Sequence, residues 1–224
     1  MLLIIIINYN KSALLTDTAP SITMTERDVR RKVLDSVDTR QLFDETETAI
    51  IEWNIDQIVK EARRGKYKRF TVDKAPLRTK YFFGEGYTYG GQLQERGAGN
   101  EKLYPRGEVD PIPHWIGDLV ILPLEEAGVV RAGWINSAVV NDYLPGGCIV
   151  SHIDPPQLFS RPIITVSFFS DSYLSFGCKV SEKSHHHQVT PLTALSLPSS
   201  SPSSQSASVP PVPGFLSGEA GLSV

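Results

Sequence analysis

The amino-acid sequence predicts an α+β domain whose core is an antiparallel β-sheet. Two observations support this fold class: apolar residues recur at helical spacing in the first half of the chain, and short strand-like segments follow one another after Trp134. Helices that precede a run of strands, rather than alternate with them, are typical of α+β proteins. Apolar residues make up 41 % of the 224 residues, which is enough to bury one core.

The clearest predicted helix covers residues 45–64. Asp44 and Glu47 have the spacing of an N-terminal capping pair, and Gly65 is a typical stop after the C-terminus. Between them, apolar residues recur with the helical period at Ile50, Ile51, Ile55, Ile58, Val59 and Ala62. This pattern predicts an amphipathic helix with one buried side.

A second helix is predicted to begin near Pro113 and to end before Gly128. Its apolar face is formed by Trp115, Ile116, Leu119 and Val120. The strands are predicted from segments rich in Ile, Val, Phe, Tyr and Ser, with Gly, Pro and Asp in the turns between them. These segments are Trp134–Tyr143, Ile149–His152, Ile163–Ser170 and Tyr173–Val180.

Both ends of the chain are predicted to be disordered, as a leader over residues 1–26 and a tail over residues 181–224. The folded domain is then 27–180. The tail holds 12 Ser and 6 Pro without periodicity, a composition that cannot bury enough surface to fold. The apolar run from Leu2 to Ile7 is far shorter than the roughly 20 residues of a membrane-spanning helix, so no membrane partner is expected.

The net charge of −3 means that any surface for nucleic acid has to be local. Residues 60–80 contain nine Lys or Arg against Glu61 and Asp73, with aromatic residues interleaved at Tyr67, Phe70 and Tyr81. Cations combined with aromatic rings suit single-stranded nucleic acid, through phosphate neutralisation and base stacking. The alternative is a solvated helix end, where cations are favoured anyway. The two cysteines predict no disulfide framework and a reducing, intracellular compartment.

The most specific chemical pattern is the pair His152 and Asp154. Side chains at positions i and i+2 of an extended segment point to the same side, and an imidazole with a carboxylate supplies two of the three protein ligands of a 2-His-1-carboxylate Fe(II) site. Taken alone, such a pair is more often a hydrogen-bonded loop feature. A structural zinc site with the tract His185–His187 is disfavoured, because zinc sites usually carry Cys or more closely spaced His.

Three segments of the chain resemble the AlkB family of Fe(II)/2-oxoglutarate dioxygenases, on the side of the family that demethylates N6-methyladenosine in RNA. They are APLRTKYFFGEGYTYG (75–90), INSAVVNDYLPGGCIVSHIDP (135–155) and RPIITVSFFSDSYLSFGCK (161–179). The resemblance implies a double-stranded β-helix, or jelly roll, with flanking helices and without its C-terminal strands. It also implies Fe(II) as cofactor, 2-oxoglutarate as co-substrate, single-stranded RNA as partner, release of formaldehyde and a nuclear location.

The resemblance also implies a role for each matching residue. His152 and Asp154 correspond to metal ligands, while Asn141 and Tyr143 correspond to contacts of 2-oxoglutarate. Tyr87 corresponds to a tyrosine next to the reacting methyl group. The residues at the nucleotide entrance correspond to Arg78, Lys80 and Tyr89. Residues 84–90 are further expected to form a hairpin or lid with exposed Tyr87 and Tyr89.

Two parts of the family pattern are missing after Asp154: a distal histidine and an arginine that grips 2-oxoglutarate. The only later arginine is Arg161, which lies close to the metal loop, and the tract His185–His187 is more simply a solvated segment than a substitute ligand. We therefore expect little turnover from this chain. The alternative to a demethylase is a catalytically dead product that only binds RNA or protein. Oligomeric state is not predicted.

Overall fold

A computed structural model describes residues 2–7, 25–87, 102–149, 154, 158–170, 172–176 and 193–197. Its helices are α1 (Glu26–Asp35), α2 (Glu45–Arg63), α3 (His114–Ile116) and α4 (Leu122–Glu126), and a π-helical segment (Gly117–Ile121) joins the last two. Its strands are β1 (Leu2–Ile7), β2 (Val72–Ala75), β3 (Arg78–Gly84), β4 (Ser137–Tyr143), β5 (Ile164–Phe168), β6 (Ser172–Phe176) and β7 (Thr193–Leu197). None of the described helices is long and apolar enough to cross a membrane.

Five strands form one antiparallel sheet in the order β2-β3-β4-β1-β5, and β6 pairs with β7 separately. Helices and antiparallel strands confirm the α+β class. The strand predictions for β4 and β5 are confirmed with shorter ends, and β6 lies within the predicted segment except for its first residue. The predicted strand Ile149–His152 is described only at Ile149, which is not in a strand.

The alternation of side chains along β3 and β4 gives the sheet two different faces. Tyr81 and Phe83 on β3 belong to a core cluster that also contains Ala138 and Val140 on β4. Their sequence neighbours Phe82 and Val139 belong to a second cluster. Because successive residues of a strand point to opposite faces, each strand contributes to both clusters. The helices pack against the first cluster. The second cluster lies on the opposite face of the sheet, together with the candidate site.

Helix α2 forms as predicted and covers the first face. Asp44 accepts a hydrogen bond from the backbone N–H of Glu47, and the Glu47 side chain accepts one from the backbone N–H of Asp44. Gly65 follows the helix with φ +71°, a conformation that glycine adopts without strain. The fully buried residues Ile51 and Ile55 anchor the helix in the first cluster. The predicted boundaries are confirmed to within one residue. Of the predicted apolar positions, Ile51, Ile55 and Ile58 are buried, whereas Ile50 is 47 % exposed.

The second predicted helix is interrupted by a π turn. It runs from His114 to Glu126, and Gly128 follows with φ +67°. Pro123 has no N–H to donate to the turn before it, and the N–H of Leu122 donates to the carbonyl of Gly117, five residues back. The proline therefore accounts for the wider turn, which the apolar pattern did not reveal.

The structure departs from the predictions at the chain ends and at the β2–β3 hairpin. Leu2–Ile7 and Thr193–Leu197 form strands where disorder was predicted, and α1 begins at Glu26 within the predicted leader. The other leader and tail residues lie outside the described part of the chain. The β2–β3 hairpin was not predicted, because the basic composition of residues 60–80 obscures the strand pattern. Phe169, which lies in the predicted strand Ile163–Ser170, has φ +67° and is 36 % exposed, because the chain turns there after β5.

Candidate functional site

The residues predicted to contact 2-oxoglutarate and nucleotide lie side by side on β3 and β4. The register pairs Arg78 with Tyr143 and Lys80 with Asn141. All four side chains are buried and share the face of the sheet that carries Phe82. Two predictions from different parts of the sequence thus meet at one place, because residues paired across antiparallel strands lie on the same face.

This cluster contains buried polar atoms without a partner. Within the described residues, neither amide atom of Asn141 forms a hydrogen bond, and the Tyr143 hydroxyl and the Arg78 Nη1 also lack one. The Arg78 guanidinium lies 5.9 Å from the centre of the Tyr143 ring. Buried polar groups are nearly always hydrogen-bonded, so a group of them without partners indicates a site for a polar ligand. The set offers donors, acceptors and a positive charge.

Lys80 is a buried cation beside this cluster. Its Nζ is 3.8 Å from the Asp73 carboxylate and 5.5 Å from the centre of the Phe82 ring. Its pKa is lowered to about 8, mainly by burial and also by the charge of Arg78, while Asp73 and Asp154 oppose the shift. Burial likewise raises the pKa of the Tyr143 hydroxyl. Lys80 therefore lies on the floor of the site and not at its entrance, where it was predicted.

Tyr87 is buried in an aromatic wall next to the cluster. Its ring packs edge-on against Phe82 and Phe159, with ring centres 5.4 Å and 5.1 Å away. The tyrosine is only 9 % exposed, so the prediction of an exposed ring at this position is wrong. The reason is tertiary: Phe159 comes from a distant segment and covers the ring. Tyr89 lies outside the described residues.

Asp154 is the described member of the predicted metal-binding pair, and its side chain is buried. Arg161 donates a hydrogen bond to the backbone carbonyl of Asp154 (2.8 Å) and another to that of Phe159 (3.2 Å). Arg161 thus holds the backbone at Asp154 itself. His152 lies outside the described residues. Among the described ones, no three His, Cys, Asp or Glu side chains form a group that could hold a metal.

A clasp missed by the sequence analysis fixes the wall around Tyr87. The Asp110 carboxylate accepts hydrogen bonds from the Lys68 backbone N–H (2.8 Å) and the Thr71 hydroxyl (2.7 Å), and the Thr71 hydroxyl accepts one from the Asp110 N–H (2.8 Å). The Lys68 ammonium donates to the carbonyl of Gly107 (2.6 Å). A β-bridge then joins Leu103 to Tyr87. No local sequence signal marks contacts about forty residues apart.

The same contacts correct the prediction for the basic stretch 60–80. Tyr81 is buried on the helix face, and Phe70 stacks on Tyr104 with ring centres 4.5 Å apart. These rings therefore belong to the two cores. Lys68 is bound by the clasp, and Arg78 and Lys80 are inside the site. The exposed cations that remain are Lys60, Arg63, Arg64, Lys66, Arg69 and Lys74.

Comparison with known proteins shows which proteins the sequence of this chain resembles. The chain is 57 % identical over 163 residues to RNA demethylase ALKBH5 of Xenopus laevis, covering 73 % of this chain and 45 % of that protein. It is 60 % identical over 149 residues to RNA demethylase ALKBH5 of Bos taurus, covering 66 % of this chain and 38 % of that protein. RNA demethylase ALKBH9B of Arabidopsis thaliana is 31 % identical over 160 residues, again 66 % of this chain and 31 % of that protein.

The chain therefore spans less than half the length of these curated relatives. No protein-family model matches it. The identity to both animal relatives is nevertheless far above the level at which unrelated chains align, and it extends over two thirds or more of this sequence. On that basis, this chain belongs to the AlkB family.

Proposed function

We propose that this chain carries the co-substrate and nucleotide site of an Fe(II)/2-oxoglutarate-dependent enzyme that demethylates N6-methyladenosine in single-stranded RNA. The observation that carries the proposal is the group of unpartnered, buried polar atoms on Arg78, Asn141 and Tyr143. Relatives at 57–60 % identity are named RNA demethylases, which supports the reaction class.

The site fits 2-oxoglutarate, a small dianion with carboxylate and keto oxygens. The Asn141 amide NH₂ and the Tyr143 hydroxyl are free donors, and the Arg78 guanidinium adds positive charge. A buried charge is tolerated only when it is paired and hydrogen-bonded, so a dianion and this donor set satisfy each other. Lys80 adds a second cation below its pKa of about 8.

We assign Fe(II) to Asp154 and His152, on the buried Asp154 carboxylate and the sequence pattern. When bound, Fe(II) with 2-oxoglutarate and O₂ would supply the oxidation of the N-methyl carbon, which would leave as formaldehyde. The chain's own residues orient the reactants: Arg161 holds the backbone at Asp154, and Asn141 and Tyr143 hold the co-substrate. The aromatic residues Phe82, Tyr87 and Phe159 keep water away from the reacting methyl group.

The remaining parts of the proposal concern the surroundings of the site. The methylated base has to reach Tyr87, which favours unpaired RNA because a paired base would first have to be unstacked. The sequence pattern alone assigns Tyr89 to the nucleotide entrance. The phosphates would run over the exposed cations of residues 60–80. We further propose the double-stranded β-helix as the fold of the complete domain, and the nucleus as its location.

The test measures 2-oxoglutarate binding to the full chain by calorimetry, with Fe(II) present and oxygen excluded. Asn141→Ala and Tyr143→Phe should each weaken binding about tenfold or more, because a hydrogen bond to a charged group contributes about 1.5–3 kcal/mol. The matched control is Asn54→Ala on α2, where the amide donates to the Ile50 carbonyl and faces no ligand site. Equal binding by all three variants would refute the assignment.

The reaction is tested on the same samples by mass spectrometry of the RNA nucleosides. Loss of the methyl group that requires 2-oxoglutarate and vanishes in Asn141→Ala supports the proposal. Because the sequence predicts weak turnover, the affinity measurement comes first. A chain that binds neither 2-oxoglutarate nor N6-methyladenosine RNA would contradict the proposed function as a whole.

A further inference from the structure

The sheet that carries the candidate site contains an inner strand from a distant part of the sequence. β1 lies between β4 and β5 and pairs with both in antiparallel register. Its six residues face Ser137–Asp142 on one side, and five of them face Ile164–Phe168 on the other. β4 and β5 are therefore two strand spacings apart, about 9–10 Å, and leave a slot that one strand fills.

The slot matters because both of its walls are buried. Val140 on β4 and Phe168 on β5 are completely inaccessible, and they lie in the core cluster under the helices. Without β1, each wall would present a row of unpaired backbone N–H and C=O groups next to that core. Such groups are almost always paired in folded proteins, and an open strand edge attracts other strands.

The register links the slot to the site. Leu3 is the partner of Asn141 on one side of β4, and Lys80 is its partner on the other side. Since the Asn141 amide forms no hydrogen bond within the described residues, only packing and the backbone ladder fix its position. β1 supplies one of the two ladders that hold β4.

We propose that the chain completes its own sheet by inserting Leu2–Ile7 between β4 and β5. The inserted strand fixes the end of β4 that carries the candidate site. The connection permits this: seventeen residues separate Ile7 from Thr25 and can span up to about 60 Å. The pairing is in continuous register with both neighbours, so a single segment completes both ladders. This inference rests on the sheet alone and is independent of the proposed function.

The first experiment uses proline in the full chain. Successive residues of an inner strand donate to alternate neighbours, so Ile4→Pro and Ile5→Pro should each disrupt the slot. Amide hydrogen exchange of Ser137–Asp142 and Ile164–Phe168 should accelerate about tenfold or more in both variants. Exchange in α2 should stay unchanged. The matched controls, Ile4→Val and Ile5→Val, keep the N–H and should preserve protection.

A peptide of residues 1–8, carrying added lysines for solubility, should restore protection to the Ile4→Pro chain. The same peptide with proline at position 4 should not. Unchanged exchange of β4 and β5 in both proline variants would overturn the proposal, because β1 would then not fill the slot.

A cross-link decides the source of the strand even where a proline variant fails to fold. Ile5 and Val139 are register partners, so cysteines at these positions, in a Cys148→Ser, Cys178→Ser background, should form a disulfide within one chain on mild oxidation. Cysteines at the offset positions 4 and 139 should not, because neighbouring residues of a strand point to opposite faces. A disulfide between two chains would assign the strand to a second copy and overturn the proposal.

Discussion

The buried ammonium group of Lys80 is a side chain whose pKa and energetic cost depend on its neighbours. Burial of the Lys80 ammonium on an inner strand carries a desolvation cost that the nearby Asp73 and Asp154 carboxylates offset only in part. Its neighbour Arg78 is also positively charged, so two cations share one buried face of the sheet. This arrangement is unfavourable in the free protein and becomes favourable when an anion enters. The buried Lys80 therefore destabilises the free chain, and under the proposed function it would also bind the anion.

We predict that this cost makes stability depend on pH. The pKa of Lys80 is about 8 in the folded chain, against an ordinary value of 10.5. Between these values the unfolded chain binds more protons, so the free energy of unfolding should rise from pH 8 to pH 10.5. Below pH 8 the cost is fully present. Lys80→Met should remove this rise in urea unfolding, while Lys60→Met, at an exposed position of α2, should retain it. Parallel curves for wild type and Lys80→Met would contradict the prediction.

The segment after Lys102 has little regular secondary structure, but it makes specific tertiary contacts. It has no helix or strand over 102–113, yet it is joined to the 68–71 turn by the clasp and to Tyr87 by the Leu103 bridge. A Cβ at Gly86 would overlap the Val109 side chain, so the two segments approach as closely as glycine permits. The wall of the site is thus built by tertiary hydrogen bonds and close packing.

We predict that Asp110→Ala destabilises the chain by about 2–4 kcal/mol, because the buried Thr71 hydroxyl and the Lys68 N–H lose their acceptor. Asp110→Asn keeps one acceptor oxygen and should cost less. The measurement is urea unfolding, with Glu126→Ala at an exposed position as the control, expected within about 0.5 kcal/mol of wild type. If Asp110→Ala lowers the free energy of unfolding no more than the control does, the clasp does not contribute to stability.

At the scale of the whole molecule, charge is unevenly distributed. The chain carries −3 overall, whereas residues 60–80 carry nine cations against two carboxylates. The structure divides those cations into two that are buried in the site, Arg78 and Lys80, and others that are exposed. Among the exposed ones, the Lys68 ammonium is hydrogen-bonded in the clasp. An RNA phosphate can reach the exposed cations from solvent, whereas Arg78 and Lys80 are buried.

We predict that replacing Arg64, Arg69 and Lys74 with Gln weakens binding of single-stranded RNA across sequences. Each lost phosphate contact should reduce the slope of log affinity against log salt by about 0.7. The matched control replaces Arg27, Arg30 and Arg31 on α1 with Gln, which changes the net charge equally. The measurement is fluorescence anisotropy at several salt concentrations. Equal weakening by both triple variants would mean that net charge alone attracts RNA.

The sequence by itself determined the local features of this protein. The capping box at Asp44, the glycine after α2 and the apolar period specify that helix, because each acts within a few residues. The residues of the candidate site were also readable, since Asn141, Tyr143 and Asp154 belong to a recognisable motif. The polar side chains of Asn141 and Tyr143 within a partly apolar strand favour a functional interpretation.

Only the tertiary structure decided how these residues meet. The pairing of β3 with β4 brings Lys80 beside Asn141, and the packing of Phe159 buries Tyr87. The clasp at Asp110 and the seating of β1 between β4 and β5 join residues about forty to more than one hundred positions apart. Contacts at that separation depend on loop closure and on which surfaces remain to be buried, and neither leaves a periodic trace in the sequence.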